Sequence, residues 1–153
     1  MEAQPKGSAD SLGTLRLWIL GVLLLGLLGT VVELVLLSHY EQPVQLVPVV
    51  LIVLALLVLA WHGMGRSAAS LRVLMWLMVL FVLAGFAGFA AHFYGSAEFQ
   101  LELEPSLSTW ELLEKVMRAK APPLLAPGMM MQLGLLGLAY VFSDQRYRRS
   151  GAP

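Results

Sequence analysis

The stretch LWILGVLLLGLLGTVVELVLL, Leu17 to Leu37, decides what kind of fold this chain can have. Only Thr30 and Glu33 bring polar side chains into it. A helix that crosses hydrocarbon needs about 20 residues at about 1.5 Å rise each, and this run supplies them. A cleaved signal peptide has an apolar region of only about 7–15 residues, followed by small residues at the cleavage site. Here the run is longer and Ser38-His39-Tyr40 follows it, so it reads as a retained membrane span.

Three more stretches behave the same way. Pro43 to Trp61 is the second, with Pro43 in the first turn, where a missing N–H costs nothing, and Pro48 one turn further in. The third has Ser67 and Ser70 as candidate N-caps and a core, Val73 to Ala91, without a polar side chain. The fourth runs from Leu124 to Phe142 and includes Gln132. Segments apolar on every side meet lipid, and a backbone in lipid must satisfy its own hydrogen bonds, so helix is forced. The expected fold is all-α: a polytopic four-helix transmembrane bundle with spans near 15–38, 43–63, 69–93 and 126–143. Residues 1–12 and 148–153 read as tails, the first disordered, around a membrane domain of 13–147. Glycine pairs Gly26/Gly29, Gly85/Gly88 and Gly134/Gly137 give three of the spans places where backbones can approach closely.

Composition agrees. Of 153 residues, 58% are apolar and 13% charged, against about 25% charged in a soluble domain. Net charge is zero, which gives nucleic acid no general attraction to the chain. With no cysteine, disulfides, thiolate metal sites and cysteine nucleophiles are excluded.

Orientation follows from the basic residues near span ends. Lys6, Arg16, Arg66, Arg72, Arg146, Arg148 and Arg149 fall on one side, and only Lys115, Arg118 and Lys120 on the other. That asymmetry expects both termini in the cytoplasm, with a bacterial inner membrane as the setting. Trp18, Trp61 and Trp76, with tyrosines near other span ends, suit an aromatic belt.

The outer loop, about 94–125, is patterned. Phe99 to Glu104 alternates apolar and polar as a half-buried strand does, and Pro105 closes it. Ser108-Thr109-Trp110-Glu111 is a capping box that opens a helix near 108–120. Its polar face offers Glu111–Lys115 and Glu114–Arg118 at i,i+4. Its apolar face, Trp110, Leu113, Val116 and Met117, is expected to turn toward the membrane or bundle, as in an interfacial amphipathic helix.

No phosphate loop, HExxH, GxSxG or dinucleotide fingerprint occurs. What chemistry could use is a set of ionisable groups near the outer level: Glu33, His39, Glu41 and His92, with Glu98, Glu102 and Glu104 in the loop. Glu33 carries the most information, because a carboxylate in hydrocarbon costs at least about 2.5 kcal/mol and so needs a partner. The stripe Gly26, Gly29, Thr30, Glu33, Leu37 turns it toward other helices, with His92, Gln132 or the outer loop within hydrogen-bond reach. Glu33 is then either a proton or cation site or a packing contact. Glu33, His39, Glu41 and His92 could together hold Zn²⁺ or another divalent metal, although no ligand spacing marks such a site. Two histidines ending different helices also meet the first requirement of a bis-His haem, with no further haem motif beside them. Met129 to Met131 point about 100° apart on a helix, so packing explains them better than copper binding.

Two functional readings follow. The first is a non-enzymatic accessory, assembly or interaction subunit whose outer loop meets a membrane-complex partner or a second copy. The second is a metal-, proton- or cofactor-binding protein built on Glu33, His39 and His92.

Overall fold

Five helices run along the chain in the computed structural model, which describes residues 6–118, 125–144 and 147, with side chains from Ser11 onward. They are α1 (Lys6–Leu36), α2 (Pro43–Gly65), α3 (Ala68–Leu103), α4 (Thr109–Met117) and α5 (Leu125–Phe142). All but α4 are long and apolar enough to cross a membrane. No strand occurs among the described residues.

Local chemistry sets the ends. Gln45 Oε1 accepts the Gln42 amide at 3.0 Å at the start of α2, and Pro43 lies in its first turn. Ser67 caps α3 by accepting from the Ser70 amide at 3.1 Å. Two helices end on residues with left-handed backbone, Ser38 (φ 51°) after α1 and Arg66 (φ 42°) after α2. At the first of these, the His39 amide donates to Leu34 O at 2.8 Å and Ser38 to Val35 O at 3.1 Å, which is the Schellman closure. Helix α1 begins at Lys6, so it takes in residues 6–12, which composition suggests as part of a disordered tail.

The helices pack in a ring, α1–α2–α3–α5, with each joined to the next by contact. Helix α3 packs most extensively, against α5 on one side and α2 on the other. The core comprises Leu23 and Leu27 of α1, Ile52 and Ala55 of α2, Leu74, Met78 and Phe81 of α3, and Leu133 and Val141 of α5. Two glycines make the α3–α5 contact close. A Cβ on Gly134 would stand 2.8 Å from Met78 O, and one on Gly85 would stand 2.8 Å from Pro127 O. Gly29, by contrast, has nothing within 4 Å.

The third helix departs from expectation. It does not stop near residue 93 but continues to Leu103, through the stretch whose alternation suggests a strand. No proline occurs between Ala68 and Pro105, Gly95 alone weakens the run beyond residue 93, and each added residue extends an existing ladder at little cost. Period-2 alternation over six residues cannot compete with that. Eleven residues beyond His92, the helix has gone on by roughly 16 Å at about 1.5 Å per residue.

Helix α4 packs back on α3, and the capping box forms as expected. Glu111 Oε2 accepts the Ser108 hydroxyl at 2.6 Å and its amide at 2.9 Å. The Ser108 hydroxyl contact chiefly, then the amide, holds the Glu111 carboxyl below the usual carboxylate range. Engaged there, Glu111 does not pair with Lys115, which bonds Glu104 instead; Arg118 and Glu114 pair at 2.8 Å. Of the expected apolar face, one residue packs on the bundle. Val116 is fully buried, whereas Trp110, Leu113 and Met117 are exposed. Leu112 and Val116, one turn apart, form the packing face, so the Trp110–Leu113–Met117 stripe lies about 100° around the helix from it.

Candidate functional site

At the end of the bundle where α1 turns into α2, the Schellman closure of α1 places His39 beside α3. The rings of His39 and His92 stack, with centroids 6.2 Å apart and planes 23° from parallel. The two histidines are thus brought together. Glu33 and Glu41 do not join them. Both are exposed, and neither side chain makes a hydrogen bond or ion pair among the described residues. No group of three His, Cys, Asp or Glu residues able to hold a metal occurs among them either. Gln132 is exposed on α5.

The placement of Glu33 corrects the expected stripe. The buried residues of α1 with described side chains are Leu23, Leu27, Thr30 and Leu34, a narrow band of three leucines and a threonine. Glu33 lies roughly 90° around the helix from the centre of that band at about 100° per residue. The glycines misdirected the assignment. Gly26 does approach α5, where a Cβ would meet Leu133 Cδ2 at 2.5 Å, but Gly29 faces away from the bundle.

The opposite end of the bundle holds a polar cluster. Arg16 Nη2 donates to Asp144 Oδ2 at 2.5 Å, tying α1 to the residue that follows α5 by two positions. Asp144 is only 2% exposed. The Arg16 guanidinium also lies over the Tyr140 ring, 5.0 Å from its centroid. Tyr140 meets His62 of α2 edge-on at 6.1 Å. His62 is buried, and its Nδ1 lies 2.8 Å from Ser70 Oγ on α3. The Ser70 hydroxyl also lies 2.8 Å from Ser67 O, which accepts from it. Tyr147, buried beyond α5, donates its hydroxyl to Met75 Sδ at 2.6 Å.

One cluster therefore draws on α1, α2, α3 and α5, with Tyr140 at its centre. Most of its polar groups find partners inside an apolar bundle, as a clasp requires, while Arg16 Nε is buried without a hydrogen-bond partner among the described residues. Arg16 and Asp144 are legible in the sequence only as charges at span ends. The signal that could have found them is their opposite sign at the same membrane level, with Tyr140 one turn before Asp144. His62 likewise reads as a cytoplasmic histidine until the short 66–67 link is seen to place Ser70 against it.

No known protein family, curated protein or solved structure matches the chain.

Proposed function

We propose that this chain is a non-enzymatic subunit of a membrane assembly, gripped by a partner protein through the outer arm formed by α3 and α4. The observation that carries the reading is the arm itself. It is braced by the Ser108–Glu111 capping box and the Glu104–Lys115 ion pair, yet it presents Phe99, Leu103 and Trp110 at 57%, 67% and 74% exposure. Large apolar side chains on a rigid scaffold bind with little loss of conformational freedom, which is how interface anchors work. The basic-residue asymmetry supports cytoplasmic termini, and a bacterial inner membrane is the setting we favour.

A photo-crosslinking residue at Trp110 in native membranes tests this, with Leu57 on the lipid-facing side of α2 as control. The expected result is an adduct at Trp110 and none at Leu57. The combined variant Phe99→Ala and Trp110→Ala should then abolish the higher-mass species on native gels while helix content stays unchanged. A free monomer in native membranes, unaffected by either change, overturns the reading.

The stacked His39–His92 pair favours a second reading, a divalent-metal site at the outer face. Zn²⁺ titration would then raise the melting temperature of the wild-type chain and leave His39→Ala and His92→Ala unmoved.

A further inference from the structure

Glu33 is an ionisable side chain in the last turn of a membrane-spanning helix, turned away from its own bundle. It lies roughly 7 Å below the Ser38 turn at about 1.5 Å per residue, within the hydrocarbon of an ordinary bilayer. Carboxylates at that depth ordinarily face protein and have a partner. Nothing among the described residues supplies one. Its surroundings suit a second helix. Gly29, one turn below, has open space within 4 Å, and Val32 and Leu36 complete an exposed i, i+3, i+4, i+7 face. A glycine there allows a neighbouring backbone to come close, and a polar group beside it gives the contact a specific hydrogen bond.

The geometry points to this face, Gly29–Val32–Glu33–Leu36, as the docking surface for a transmembrane helix of another protein that carries a cationic side chain near its outer end. Charge chooses that occupant. The chain has no Lys or Arg between Arg16 and Arg66, nor between Arg72 and Lys115, so the α1, α2 and α3 spans of a second copy offer no cation at this depth. A parallel pair of copies would set Glu33 against Glu33. Of the outer-loop cations, Lys115 and Arg118 are already engaged by Glu104 and Glu114. A guanidinium or ammonium from a partner helix satisfies the carboxylate and is itself relieved of isolation in lipid. This rests on the reading of the chain as an assembly subunit, and names the class of partner inside the membrane.

The test uses the full chain in phosphatidylcholine vesicles, labelled through Met64→Cys, since the chain has no other cysteine and Met64 is exposed. The probe is a Leu/Ala transmembrane peptide with one Arg about five residues from its outer end, detected by energy transfer. Control peptides carry Leu or Glu at that position. The Arg peptide should associate about tenfold more tightly than the Leu peptide. Glu33→Leu should remove the difference. Gly29→Leu should weaken association while leaving the melting of the chain alone unchanged. Equal association of the Arg and Leu peptides, or an Arg preference that survives Glu33→Leu, overturns the inference. So does Glu33-dependent energy transfer between two differently labelled copies of the chain without peptide, which would assign the face to self-association. A failed Trp110 crosslink beside intact Arg-peptide pairing would sink the outer-arm reading alone, and the reverse result would sink this one alone.

Discussion

Asp144 and Arg16 carry the sharpest expectations at the scale of single residues. Removing one member of a buried ion pair strands the other, at a cost of about 3–5 kcal/mol in a fully dry site. Arg16 keeps some exposure, so Asp144→Ala should destabilise the bundle by about 2–3 kcal/mol, read from thermal unfolding in detergent. Arg16→Lys retains the charge but gives up the planar contact over Tyr140, and should cost about 1 kcal/mol. A smaller loss for Asp144→Ala than for Arg16→Lys would contradict the clasp. Ser70 is fully buried between His62 and the Ser67 carbonyl, so Ser70→Ala should cost about 1–3 kcal/mol.

At the scale of elements, the α3–α5 contact and the α4 cap make separate predictions. A methyl on Gly134 must displace the Met78 backbone carbonyl, so Gly134→Ala should cost about 1–3 kcal/mol by overpacking. Gly29→Ala, with open space around it, should leave the melting temperature of the isolated chain where it is. Equal melting of the two variants would refute the register of these helices. For α4 the lever is pH. The Glu111 carboxyl is held below its ordinary value by Ser108, so its contribution is fully present above the ordinary carboxylate range. It is lost as pH falls through the lowered value. Amide protection in residues 109–117, taken relative to the intrinsic exchange rate at each pH, should therefore fall on acidification, and Glu111→Ala should lower it already at neutral pH and flatten that dependence. Protection that stays high and indifferent to pH in the variant would refute the cap.

For the whole molecule, the ring α1–α2–α3–α5 places the two-residue 66–67 link at the opposite end from the arm. Reporter fusions after Arg66 and after Glu104 should therefore report opposite sides of the membrane, with the first cytoplasmic. Both on one side would remove the four-span arrangement, and a reversed pair would remove only the orientation.

Run length and composition were enough to determined four spans, because lipid leaves an apolar backbone no alternative to helix. The capping box at Ser108–Glu111 and the Ser67 cap were equally legible, since both depend on residues a few positions apart. What only the tertiary structure decided is direction around each helix axis. In an all-apolar span every face is chemically alike, so periodicity cannot distinguish bundle from lipid. The Leu23–Leu34 band turned inward and carried Glu33 outward against the hint of the glycines. The same limit hid the clasp. Arg16, His62, Ser70, Tyr140 and Asp144 are scattered across the chain, and only packing in the ring makes them neighbours.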